Sequence, residues 1–219
     1  MDILTFARGI GLKVAIGVLV LGVVWRVLAI ALLRIRRDLN RPRESMLRHL
    51  FGGMITSGTR SMPHPRFVAR TGPGEALSYS YHLGLFAMVL LFGPHIVLLG
   101  GIFGFTWPGF PSSVITIISV LTLSLFLAVL YRRMTNPVTR MLSNFDDYFS
   151  WFITMLVLVT GLAATAHLGA TYETLLAVHI LSVDVLLIWF PFGKLMHAVY
   201  IFPSRALNGA VLARKGAAS

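Results

Sequence analysis

A chain of 219 residues that is 56% hydrophobic and 12% charged, with a mean hydropathy of +0.79, is too apolar for a soluble globular domain. Its formal net charge of +11 does not mark a nucleic-acid binder, because the basic residues cluster beside hydrophobic runs in the pattern of membrane topology. The absence of cysteine excludes disulfides, thiolate-held iron–sulfur clusters and CxxCH haem attachment, so a redox cofactor held here needs histidine or methionine ligands.

The patterning predicts an all-α integral membrane protein with five transmembrane helices, since a span needs about 20 apolar residues. The first runs from Ile10 to Leu33 and carries Arg26, which must snorkel or find a partner. It ends in Arg34, Arg36 and Arg37 where a signal peptide would show a small-residue cleavage site. Residues 35–76 form a long basic connection with Arg41, Arg43, Arg48, Arg60, Arg66 and Arg70, four prolines and a modestly amphipathic patch from Met46 to Ile55. It reads either as a cytoplasmic platform that docks a soluble partner or as a basic loop held by anionic lipid headgroups. His49 and His64 within it are solvated loop residues.

The second span runs from Ser80 to Phe103 and is followed by the uncharged segment Gly104 to Pro111. The third, Ser112 to Tyr131, leads into Arg132, Arg133 and Arg140. The fourth, Tyr148 to Leu168, leads into Gly169 to Thr174, where Glu173 is the one charge. The fifth, Tyr172 to Phe202, is followed by Arg205, Arg214 and Lys215. The Lys/Arg bias places the first and third connections and the carboxyl terminus in the cytoplasm and the amino terminus outside, with Arg8 and Lys13 weakly opposed.

Four histidines then stand out, because ionisable residues inside membrane spans are costly and usually functional. His82 and His95 lie on the second span, and His179 and His197 on the fifth. These two spans run in opposite directions, so His82 is level with His197 at the inner side and His95 with His179 at the outer side. Each level pair can supply the two axial imidazoles of one haem iron, giving a haem-binding bundle with two haem b groups. His179 and His197 are 18 residues apart, about five turns, and share a face of a continuous helix. His82 and His95 are 13 apart and do not, but Gly93-Pro94 precedes His95 and can bend or rewind the turn that presents it. The alternative fourth ligand is His167, at the outer end of the fourth span.

Small residues near these histidines, Gly84, Gly93 and Thr160-Gly161, fit a slot for a flat macrocycle or simply close helix packing. Asp184, beyond His179, can pair with Arg26, hold a histidine's second nitrogen or relay protons. Lys194 and Arg26 are candidate contacts for haem propionates. Trp107, His167 and Tyr172 at the outer surface are candidates to border a quinone.

The run from His179 to His197, with Pro191-Phe192 and the Lys194-Leu195-x-His197 ending, resembles the last helix of respiratory nitrate reductase gamma subunits. Thr135-Asn136-Pro137 through Asp146-Asp147-Tyr148, Thr160-Gly161 and the five-span layout extend the likeness. The same helix type occurs in the membrane cytochromes of sulfite-reductase-linked (DsrM) and heterodisulfide-reductase-like complexes, which the basic connection favours. The second-helix histidine spacing departs from the shorter spacing of the gamma subunits. The resemblance implies a dihaem b-type cytochrome subunit of a membrane oxidoreductase in a prokaryotic-type cytoplasmic membrane, not catalytic alone. It implies electron transfer between quinone or quinol and a cytoplasmic iron–sulfur subunit, with His82 and His197 on the inner haem and His95 and His179 on the outer. The partners are that subunit, quinone and membrane lipid, with no nucleic acid. The rival readings are a haem-free proton-coupled transporter subunit and a purely structural membrane anchor.

Overall fold

The computed structural model describes residues 2–32, 50 and 65–215, so most of the basic 35–76 connection, including the Met46 to Ile55 patch apart from Leu50, lies outside the described residues. All regular structure described is helical: α1 (Ile3–Ala31), α2 (Val68–Leu91), α3 (Gly93–Phe103), α4 (Ser112–Thr135), the short α5 (Pro137–Leu142), α6 (Phe145–Thr165), α7 (Tyr172–Trp189) and α8 (His197–Arg214). Of these, α1, α4, α6 and α7 are long and apolar enough to cross a membrane. Large apolar side chains such as Leu21, Ile117 and Phe152 face outward from them, as a lipid-facing surface requires.

The chain divides into two units, residues 1–19 with 73–189, and residues 20–72 with 190–219. In the first, α2 lies antiparallel to α4. The point where a Gly74 Cβ would sit meets the Arg132 guanidinium, Tyr81 meets Phe126 edge-on at 5.3 Å, Gly84 abuts the buried Thr122, and Ser119 Oγ donates to Met88 Sδ at 3.0 Å. Gly84 is indispensable to that register, because any Cβ there would collide with Thr122 Oγ1. The helices α6 and α7 are likewise antiparallel. Trp189 Nε1 donates to Ser150 Oγ at 2.9 Å near one end, and Thr160 Oγ1 meets Ser182 Oγ at 2.9 Å toward the other. Between α4 and α6, Trp151 Nε1 donates to the Phe126 carbonyl at 2.9 Å.

The α4–α6 connection is built from caps. Asn136 accepts from the amides of Val138 and Thr139, with Pro137 in the first turn of α5 where its missing N–H costs nothing. Asn144 and Asp147 form a reciprocal capping box at the start of α6, and the same Asp147 carboxylate takes Arg133 Nη1 at 2.8 Å. Arg133 is therefore an ion-pair partner as well as a topological charge.

Two prolines divide spans that the hydropathy reads as continuous. The expected Ser80 to Phe103 helix breaks at Phe92, whose backbone is extended (φ −86, ψ 127), and restarts as α3 with Pro94 in its first turn. Pro94 has no amide hydrogen for the Leu90 carbonyl four residues earlier, and Trp107 Nε1 donates to it instead. The next carbonyl, Leu91, accepts from Phe110 N at 2.8 Å. The uncharged loop after α3 thus folds back to satisfy the groups that the break exposes. The expected fifth helix, Tyr172 to Phe202, stops at Trp189 before Pro191, passes an extended Gly193 (φ −104, ψ −179) and a 3-10 turn at Lys194–Met196, and restarts at His197. The shared-face argument for His179 and His197 fails here, because proline cannot donate to the carbonyl of residue 187 and its ring disfavours continued helix.

Replacing Trp107 with Phe is expected to destabilise the protein by about 1 kcal/mol, the net worth of a typical hydrogen bond, in unfolding titrations in mild detergent. Adding Pro94→Ala, which supplies an N–H to Leu90, is expected to reduce that cost, giving a non-additive double-mutant cycle.

Candidate functional site: a facing histidine pair

The break at Phe92 presents His95 from the first turn of α3, and its ring lies 6.3 Å from that of His179 on α7, with the ring planes within 21°. Both side chains are half-buried. His95 Nδ1 reaches back seven residues to the Met88 carbonyl at 2.8 Å. His179 Nδ1 lies 3.2 Å from Thr160 Oγ1, whose hydroxyl also lies within hydrogen-bond distance of the Leu156 carbonyl at 2.8 Å and of Ser182 Oγ at 2.9 Å. A carbonyl can only accept, so His95 carries its hydrogen on Nδ1, which leaves the lone pair of its neutral imidazole on Nε2.

Neighbouring small groups hold the pair in place. A Cβ on Gly161 would lie 3.0 Å from His179 Cε1 and 3.3 Å from its Nδ1, so the imidazole rests against bare main chain of α6. Ser182 Oγ donates to the His179 carbonyl at 2.7 Å, joining Thr160, Ser182 and His179 in one cluster between α6 and α7. The Thr160-Gly161 step singled out in the sequence is therefore part of the histidine's seat.

The arrangement suits a metal ligated from two sides. Imidazole nitrogens bind first-row metals at about 2.0–2.1 Å, which puts the centroids of two trans imidazoles about 6 Å apart, the separation observed. An Nδ1–H held by carbonyl or hydroxyl oxygen is the usual way a protein orients a ligating imidazole and raises its basicity. Among the described residues no group of three or more His, Asp or Glu converges as for a bare ion, whereas haem iron takes only two axial ligands from protein. Two imidazoles are what a bis-histidine haem takes from protein, and two are what the described residues bring together here.

The other two histidines share the Nδ1 pattern. His82 Nδ1 pairs with the Ser78 carbonyl at 2.8 Å, and its ring lies 4.2 Å from Tyr81, which continues to Phe126 and then, 5.4 Å on, to Trp151. His197 Nδ1 pairs with the Lys194 carbonyl at 2.8 Å. His82 belongs to the first unit, and His197, Lys194 and Arg26 to the second. The carbonyl acceptors at His82, His95 and His197 are a feature that side-chain motifs do not reveal.

The remaining candidates have other settings. His167 follows α6 with a left-handed backbone (φ 54) and is exposed, its ring 5.3 Å from Tyr172, so it is His95 that faces His179. Trp107 commits its indole N–H to Leu90. Arg26 Nε is buried without a hydrogen-bond partner among the described residues. Asp184 is buried under α1.

No family model and no solved structure matches the chain. It is similar to a protein of Nitratidesulfovibrio vulgaris (strain Hildenborough) described only as "Protein", 33% identical over 131 residues, which are 60% of this chain and 58% of that protein. The chain thus matches less than two thirds of its relative's length.

Nitrogen NMR of histidine-labelled protein in detergent is expected to show His95 as the Nδ1–H tautomer. Thr160→Val, which removes the hydroxyl at nearly constant volume, is expected to shift the His179 signals and leave those of His95 in place.

Proposed function

We propose that the chain is a dihaem b-type cytochrome subunit of a quinone-linked membrane oxidoreductase, crossing the membrane five times with its amino terminus outside, and exchanging electrons with a cytoplasmic iron–sulfur subunit. The observation that carries this reading is the His95–His179 pair: ring centroids 6.3 Å apart, each Nδ1 engaged by oxygen. His95 and His179 would hold the outer haem and His82 and His197 the inner one. Bound haem would supply one-electron chemistry whose potential is set by axial ligand, burial and second-shell hydrogen bonds.

What the chain's own residues contribute is position and electronics. The Met88 carbonyl and Thr160 hydroxyl would orient the two imidazoles, and the carbonyl, by accepting from His95 Nδ1, would make its Nε2 a stronger donor. Gly161 leaves room beside His179 that a side chain would fill. Tyr172 and His167 lie together at the end of the bundle assigned to the outer surface, where they would meet a quinone headgroup. Lys194 and Arg26, in the second unit, would neutralise propionates. The basic 35–76 connection would dock the cytoplasmic partner, whose acidic or anionic surface its arginines complement.

The test is a reduced-minus-oxidised optical spectrum with haem quantitation on purified protein expressed with haem available. Two b-type haems per chain are expected, falling to one in His95→Ala, His179→Ala, His82→Ala and His197→Ala. Thr160→Val is expected to retain both sites but weaken the outer one by roughly 10–100-fold in affinity. A protein that takes up no haem overturns the proposal.

A further inference from the structure

A second buried feature lies on α7, five residues beyond His179. Asp184 is 5% exposed, and neither of its carboxylate oxygens has a hydrogen-bond partner among the described residues. The amino-terminal end of α1 covers it. There the helix widens into a π turn over Ala7–Gly11, an irregularity that occurs mostly at functional positions. The point where a Gly11 Cβ would sit is 2.8 Å from Asp184 Oδ2 and 3.3 Å from the Phe6 carbonyl oxygen. Glycine at this one position lets the main chain of α1 close over the carboxyl.

The chemistry of that enclosure favours a neutral acid. An ionised carboxylate would sit in low dielectric with no donor and with a carbonyl oxygen on the Gly11 side, both unfavourable. A protonated acid has one O–H to direct, and the Phe6 carbonyl is an acceptor on that side. The charged groups on the elements packed against α7 are Asp2, just before α1, with Arg8 and Lys13 on its first turns, all three exposed, Arg26 further along α1, and Asp146 and Asp147 at the start of α6. On α7 itself they are His179, engaged with Thr160, and the exposed Glu173. Asp147 is paired with Arg133.

We propose that Asp184 is a membrane-embedded proton-binding site, a carboxyl that carries its proton at the seam between the π turn of α1 and α7 and exchanges it there. The inference stands apart from the haem reading, because it uses neither a haem ligand nor a redox step.

The full chain in lipid nanodiscs is treated with dicyclohexylcarbodiimide, to which a protonated carboxyl adds across N=C=N to give an O-acylisourea that rearranges to a stable N-acylurea. Mass spectrometry is expected to find the adduct on Asp184, with labelling that slows as pH rises and disappears in Asp184→Asn. Gly11→Ala, whose Cβ meets Oδ2, is expected to lower labelling several-fold. Gly17→Ala, with nothing within 4 Å of its Cβ, is expected to leave it unchanged and so serves as the folding control. A water-soluble carbodiimide is expected to react at Asp2 and Glu173 and spare Asp184. Equal labelling of Asp184 by the water-soluble reagent, protection of it by sodium ions, or its failure to react with the hydrophobic reagent at any pH would overturn the proposal. The optical spectrum of the same sample reports on haem separately.

Discussion

A main-chain N–H or C=O kept from water needs a partner within the protein, and Pro94 is where this chain removes one such partner and the following loop replaces it. The proline withholds a donor from Leu90, and the extended Phe92 takes Leu91 out of helical register. Trp107 and Phe110 return along the chain to fill both acceptors. His95, placed just past the break, satisfies its own Nδ1 on the Met88 carbonyl. One covalent constraint thereby fixes the path of the following loop and aims an imidazole toward α7. An uninterrupted helix would have put His95 on another face from His82.

The opposing half of the pair depends on a different device. His179 is seated by the antiparallel contact of α6 and α7, in which a hydroxyl supplies a hydrogen-bond partner and a glycine supplies the space. Such small-residue contacts let membrane helices approach closely without a hydrophobic driving force between them. The same logic sets the α2–α4 register at Gly84 and Thr122. The histidine pair therefore rests on rigid elements, with a loop needed only to complete the broken helix.

Charge is paired where α4 and α6 meet. Arg133 and Asp147 form an ion pair that is also part of a helix cap, so one carboxylate serves a guanidinium and an amide together. Asp184 has no such arrangement. It is buried with no hydrogen-bond partner among the described residues, and the Gly11 main chain of α1 lies against it.

Much of this was legible in the sequence, and the limits are physical. The apolar runs of α1, α4, α6 and α7, a bend at Gly93-Pro94 and the Thr160-Gly161 step could be read from composition and spacing, because they depend on local hydropathy and on the chemistry of proline and glycine; the full break at Phe92 could not. Pro191 carried the same signal, yet the long apolar run through Phe202 outweighed it, and the continuous fifth helix was wrong. Trp107 read as an interfacial aromatic, since nothing local says that a residue 17 positions away has an unsatisfied carbonyl. The sequence by itself determined a helical membrane protein with histidines in its apolar segments. Only the tertiary structure decided that His95, and not His167, faces His179, and which oxygens hold their Nδ1 atoms, because helix register and main-chain acceptors exist only once the helices have packed.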